Sequence, residues 1–247
     1  MKQPIDIILS TCNRRLFTRR TIDALHYRLD NPNLMRLIVV DDGSEDGTFE
    51  YLKREEKDCR VYKVISGNFK HLCEMYNKAF EYVETEYFIV MQDDLIIPKL
   101  KPDVVEQLIA LMEKYPNHGG ISCRIQHLPN MKWLDGDLTP TRKALSALFR
   151  IQKKSDIEKA GGFGNRVRDE IAFTIQMEKI GKKAGWANNL WCNHLGHCVD
   201  RGYEIKPRKW GTGIHSRELK ETDIKRKPYP KIDLLTNRPL KGEKIYR

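Results

Sequence analysis

The apolar residues fall in short blocks whose spacing switches between the strand and helix periods. Residues 4–10 (PIDIILS) predict a short buried strand. Within 14–29, Ile22, Leu25 and Leu29 recur at helical spacing until Asn31-Pro32-Asn33 ends the run. Residues 37–40 (LIVV), bounded by Asp41-Asp42-Gly43-Ser44, have the unbroken apolar character of a strand covered on both faces. A short helix over 48–54 and a strand over 60–65 follow. The clearest helix comes next: Leu72, Met75, Tyr76, Ala79, Phe80 and Val83 lie at i, i+3, i+4, i+7, i+8 and i+11, one continuous stripe. Residues 87–91 (YFIVM) predict a fourth strand ending in Gln92-Asp93-Asp94. Pro102 opens another helix, with Val105, Leu108, Ile109 and Met112 on one face.

Beyond residue 115 the pattern loosens. Residues 120–125 read as a strand. Residues 126–143 have no period and contain Trp133 and two prolines, so they read as a loop over a site. Residues 144–151 are strand-like. Ser155 and Glu158 have capping-box spacing before a short helix that stops at Gly161-Gly162. Phe173, Met177 and Ile180 mark a helix ended by Gly181, and 186–194 reads as a last strand. A short helix is expected over 217–223. Strands alternating with helices over the first 115 residues predict an α/β fold with a mainly parallel central sheet flanked by helices. Ligands of such sheets bind beyond the carboxyl ends of the strands. Ser10, Thr11, Asp41, Asp42, Asp93 and Asp94 all fall there.

Composition narrows the classes. A chain of 247 residues can bury a large core without a disulfide or metal staple. No apolar run approaches the roughly 20 residues of a membrane span. Cys12, Cys59, Cys73, Cys123, Cys192 and Cys198 include no CxxC pair, so reduced thiols in a cytoplasmic protein are expected. Charge is uneven: residues 201–247 hold 14 Lys/Arg against 6 Asp/Glu, which places +8 of the formal +10 there. Two parts are expected, a domain over 1–200 and a basic segment over 201–247 packing on or near the site. Such a segment suits an anionic partner: nucleic acid, a membrane surface or a phosphate-bearing substrate. A non-catalytic nucleic-acid-binding protein is therefore the alternative function.

The acids suggest chemistry. Asp93 and Asp94 are adjacent carboxylates after a buried strand, and a divalent cation bridging to a diphosphate would offset their repulsion. One of them capping the following turn is the plainer reading. Asp41-Asp42 fits either a turn or a carboxylate that accepts a hydrogen bond from a base or ribose. No GxGxxG or GxxxxGK[ST] loop occurs, so cations would have to hold any phosphate. Asp169 and Glu170 at a helix start either complement the helix dipole or take a proton. His194 and His197, in CNHLGH, could complete a metal site.

Taken in order, IILSTCNR, LIVVDDGSEDGT, Asn77, YFIVMQDD and GGF followed by Arg168-Asp169-Glu170 resemble the motifs of family 2 glycosyltransferases with the GT-A fold, over roughly residues 3–197. The resemblance implies inverting transfer of a sugar from a nucleotide diphosphate sugar, UDP-sugar favoured, to an acceptor hydroxyl, with Mn2+ or Mg2+. It places Ser10, Thr11, Asn13, Asp41, Asp42, His71 (with Lys70 the alternative) and Asp93 around the nucleotide sugar. Asp94 becomes the metal ligand, aided by His194 or His197. Glu170 aligns with the catalytic base when Gly181 is the anchor. The pair there is Asp169-Glu170 where the family writes Glu-Asp, so Asp169 stays a candidate. Lys206, Arg208 and Lys209 would close over the diphosphate, His215 is a lesser metal candidate, and Trp133 is a candidate acceptor contact. The acceptor is expected to be a glycan, a lipid-linked group or a nucleic acid, anionic if the basic segment engages it.

Overall fold

The computed structural model describes residues 2–126, 134–166 and 168–194, together with 232–233 and 238–239. The first half runs β1 (Ile5–Thr11), α1 (Arg15–Arg28), a 3-10 turn (Pro32–Leu34), β2 (Met35–Asp41), α2 (Thr48–Lys57), β3 (Lys63–Ser66), α3 (Leu72–Phe80) and β4 (Tyr87–Gln92). The second half runs β5 (Leu95–Ile96), α4 (Val104–Lys114), β6 (His118–Gln126), β7 (Leu138–Thr141), β8 (Arg150–Lys153), α5 (Lys154–Ala160), α6 (Asp169–Lys179) and β9 (Lys183–His194). Ile232–Asp233 and Arg238–Pro239 pair as a separate antiparallel ladder.

One sheet holds the domain together, in the order β3-β2-β1-β4-β8-β6-β9-β5, with β7 also on β9. The first four strands in that order are parallel, as the α/β pattern predicts. The far half is mixed. β8 enters antiparallel between β4 and β6, and β6 and β9 are parallel to each other. Short β5 and β7 both lie antiparallel on β9. Side chains alternate across a strand, so each inner strand feeds two cores. Ile7, Leu9, Leu37, Val39, Ile89 and Met91 join Ile22, Leu52 and Leu108 from α1, α2 and α4. Ile8, Ile38, Val40, Phe88 and Val90 join Tyr76, Ile157 and Phe173 from α3, α5 and α6. Burial on both faces is why these strands read as continuous apolar runs.

Several expectations need correction. Of 144–151, only Arg150 and Ile151 belong to β8. Leu145, Ala147, Leu148 and Phe149 are buried in irregular chain, with Phe149 at φ +61°. The Ser155–Glu158 capping box does not form. α5 begins at Lys154 behind Lys153, with no side-chain cap, and Ser155 Oγ instead donates to Glu86. The 126–143 stretch is not loop throughout, because Leu138–Thr141 is β7. Its Pro140 masks the signal, and proline is tolerated at a sheet edge. Trp133 and the 217–223 helix lie outside the described residues.

At the amino ends of the strands, Asp6 fixes the register that later aligns the site. Its side chain is fully buried, accepting from Arg36 Nε at 2.7 Å and from the Glu84 and Thr85 amides at 2.7 and 2.9 Å. Burial opposes ionisation, yet Arg36 and those amides hold the Asp6 carboxyl below its usual range. The knot ties β1 to β2 and to the turn preceding β4. Removing one member of a buried, hydrogen-bonded ion pair costs about 3 kcal/mol or more. Asp6→Ala should lower urea-unfolding stability by that amount at pH 7. Because the folded pKa lies below the unfolded one, the wild-type advantage should fade as pH falls below about 4.

Candidate active site

The carboxyl ends of β1, β2 and β4 lie side by side, with Thr11 opposite Asp41 and Ser10 opposite Gln92. Parallel pairing therefore gathers the polar residues that follow each strand. Asp93 is held by the chain after β1. Thr11 Oγ1 donates to Asp93 Oδ2 at 2.7 Å, Arg14 Nη1 sits 2.8 Å from Oδ1, and Thr21 Oγ1 donates to the Asp93 carbonyl at 2.7 Å. Arg14 Nη2 reaches Asp94 Oδ2 at 2.7 Å. Both acids are 2% exposed. Burial, with the Asp94 charge beside it, pushes Asp93 up to about 6 against the pull of Arg14. Asp94 is equally buried, but Arg14 and His194 hold it well below the usual carboxylate range.

His194 arrives from the far end of the sheet. β5 immediately follows the acid pair and pairs Leu95 with His194 of β9. That register brings His194 Nε2 to 3.2 Å from Asp94 Oδ2. His197, Lys206, Arg208, Lys209 and His215 lie outside the described residues. Among the described residues, no group of three or more His, Cys, Asp or Glu side chains is arranged to hold a metal. Asp94 Oδ1, however, is buried without a hydrogen-bond partner among them. An orphaned carboxylate oxygen is costly unless a proton donor or cation meets it. A hard oxygen donor beside an imidazole is a donor set compatible with a divalent cation.

The other candidates separate by role. The Ser10 hydroxyl is buried, 3.4 Å from both Tyr76 Oη and the Met91 carbonyl oxygen. Asp41 is fully buried and accepts from the Ser44 amide at 3.1 Å, from Ser44 Oγ and from Ser66 Oγ. It forms the turn, and burial raises its pKa. Asp42 is half-buried and accepts from the Phe69 amide at 2.8 Å. Burial and the Asp41 charge raise it. Asn13, at φ +50°, accepts from the Glu45 amide and donates its own amide to Ser44 Oγ, both at 2.7 Å, stitching the first two strand-end loops together. His71 caps α3, its Nδ1 accepting from the Glu74 amide at 3.2 Å.

Asp169 and Glu170 open α6. Asp169 is 3% exposed and lies 3.4 Å from Arg150, itself fully buried with its guanidinium 3.8 Å from the Phe173 ring centroid. Desolvation and the hydrogen-bonded Glu170 carboxyl outweigh Arg150 and push Asp169 up to about 7. Glu170 is half-buried. Asn77 binds the neighbouring glycine loop at both sides: its Oδ1 accepts from the Phe163 amide at 2.9 Å and its Nδ2 donates to the Gly164 carbonyl at 3.1 Å. A Cβ at Gly162, where φ is +91°, would stand 2.7 Å from Asn77 Oδ1, so only glycine fits there. Sequence reasoning missed Arg14 and Arg150. Their signal was slight: a basic residue three positions past a strand whose partner acids lie some 80 positions away, and an arginine inside an apolar run.

Residues 6–179 match the model of glycosyl transferase family 2, and the chain belongs to that family. No curated protein matches it. Solved structures share its fold. S. aureus TarS 1-349 has a TM-score of 0.59 and 13% identity, over 76% of this chain and 60% of that one. The same protein in complex with UDP-GlcNAc gives 0.59 and 13%, over 77% and 58%. The mannosyltransferase PcManGT from Pyrobaculum calidifontis, in complex with GDP-Man and Mn2+, gives 0.63 and 18%, over 82% and 59%. At these identities the likeness is one of fold, the GT-A type. The chain spans about three-fifths of the length of these structures.

Asp169 supplies a pH test. Its folded pKa of about 7 exceeds the unfolded value of about 4, so the stability it contributes is complete below pH 4 and lost as pH rises through 7. Asp169→Asn carries no such titration. Its stability relative to wild type, read by urea unfolding, should become more favourable between pH 5 and pH 8.

Proposed function

We propose that this chain transfers a sugar from a nucleotide diphosphate sugar to an acceptor hydroxyl, with inversion. The observation that carries this reading is Asp94: a buried carboxylate with one oxygen unpartnered, beside His194, at the strand ends of a family 2 glycosyltransferase domain. Asp94 through Oδ1, with His194 alongside and His197 as the further candidate, would hold the divalent ion. When bound, that ion supplies Lewis-acid neutralisation of the departing diphosphate. Asp42, the more exposed acid after β2, faces the base or ribose, within a loop that Asp41 and Asn13 shape. Ser10, Thr11, His71 and Asp93 support that pocket from behind through their internal hydrogen bonds.

Glu170 takes the acceptor proton as the hydroxyl attacks. It is the more exposed of the two carboxyls and stands in the first turn of α6. Asp169, locked to Arg150, fixes the start of that helix. The sheet holds both substrates in one orientation, which supplies the proximity contribution. UDP-sugars are favoured, and the bound UDP-GlcNAc of TarS and GDP-Man of PcManGT define the two donors to try first. The basic segment 201–247 offers cations to the diphosphate or to an anionic acceptor. The five cysteines among the described residues are free thiols, which suits a reducing compartment, the cytoplasm. Among the described residues no helix is long and apolar enough to cross a membrane.

Thermal shift against a panel of UDP- and GDP-sugars, with Mn2+ or with chelator, tests the reading. A donor should stabilise the protein only with the ion present, and no response to any donor would refute the assignment. With the stabilising donor, Glu170→Gln should keep donor KM within a few-fold while kcat falls about 10²–10⁴-fold. Unchanged kcat would move the base to Asp169 or elsewhere.

A further inference from the structure

Adjacent buried acids repel one another unless a counter-charge is fixed between them. Here the counter-charge belongs to the protein. Arg14 stands immediately before α1, and its two terminal nitrogens divide between the acids, Nη1 on Asp93 and Nη2 on Asp94. The guanidinium carbon lies over the Phe17 ring, 4.9 Å from its centroid. The Arg14 side chain is 17% exposed and the two acids 3%, so solvent ions screen the trio little.

The oxygens of the pair are claimed one by one. Asp93 Oδ1 takes Arg14, Asp93 Oδ2 takes Thr11, and Asp94 Oδ2 takes Arg14 and His194. Asp94 Oδ1 alone has no hydrogen-bond partner among the described residues. We propose that Arg14 is the resident cation of this site, a positioning residue that cancels one of the two acidic charges and leaves a single unpartnered carboxylate oxygen. A divalent ion arriving alone then meets a net charge of −1 from the trio and one protein oxygen beside the His194 imidazole, too little to be held firmly. The diphosphate must bring the remaining negative charge and oxygens, so ion and donor are retained together. The inference rests on the reading of Asp94 given above.

The test reads ion binding, not turnover. Free Mn2+ is counted by electron paramagnetic resonance at pH 8 with no nucleotide present. A full charge within about 6 Å, at an effective dielectric constant of about 20, alters affinity by about tenfold or more. Arg14→Met removes the positive charge and should bind Mn2+ at least about tenfold more tightly than wild type. Asp93→Asn keeps Arg14 and should bind about tenfold more weakly, while Arg14→Lys stays within about threefold. A purely structural clamp predicts weaker or equal binding in Arg14→Met, and that result, with a wild-type melting transition, overturns the proposal. If Arg14→Met fails to melt cooperatively, the other two variants decide. Unchanged affinity in Asp93→Asn, or a tenfold change in Arg14→Lys, overturns it. A parallel melt with uridine diphosphate plus Mn2+ separates the two levels. Stabilisation of wild type with equal Mn2+ binding in all variants defeats only the role of Arg14. No bound Mn2+ and no stabilisation in wild type defeats the Asp94 reading and this inference with it.

Discussion

Two carboxylates at one strand end cannot be both dry and ionised without a cation held between them. The carboxyl-end face of the sheet is organised around that constraint. Thr11, Arg14, Thr18 and Thr21 all belong to β1 and the turn and helix that follow it. Each reaches Asp93, Arg14 reaching Asp94 as well. β1 must therefore sit beside β4 in one register only, and a slip by one residue would turn Asp93 away from its donors. Asp6 enforces the same register from the opposite end of the strand. The bidentate fork of an arginine suits this duty because it bonds two acids at once in a fixed plane.

A second buried ion pair organises the start of α6. Arg150 enters on β8, the antiparallel strand that departs from the doubly wound pattern, and lies against Phe173 with Asp169 beside it. Arg150 Nη1 also donates to the Leu145 carbonyl at 2.6 Å, and the Leu145 amide donates to the Glu170 carbonyl at 3.0 Å. The irregular chain before β8 and the start of α6 are thereby one hydrogen-bonded unit. Asn77 joins the glycine loop to α3 in the same neighbourhood. The two carboxyl groups of α6 stand on a framework whose polar contacts come from three separate elements.

The parallel half of the fold was legible because LIVV and YFIVM are apolar on both faces, and because α3 carries an unbroken stripe. The acids were legible as a group, since an acid directly after such a strand falls on the ligand-binding rim. Their partners were not. An ion pair between Arg14 and residues some 80 positions later leaves no local pattern, and neither does the capping of α3 by His71. β8 was misplaced because Leu145 to Phe149 are buried like strand residues, although Phe149 takes a positive φ that no regular strand allows. β7 was hidden by Pro140. His194 was visible only as one of two histidines that could ligate a metal, because its meeting with Asp94 depends on a two-residue strand too short to show a period.

That two-residue strand has a consequence for how the protein is made. Leu95 and Ile96 have no partner until His194 and Asn193 exist, nearly a hundred residues later. A chain emerging from the ribosome can zip together β1 to β4 and seat the guanidinium between its acids long before this. The imidazole contact has to wait for β9. The acid pair and its arginine clamp are thus all present in the chain by residue 94, whereas the contact of Asp94 with His194 waits a further hundred residues.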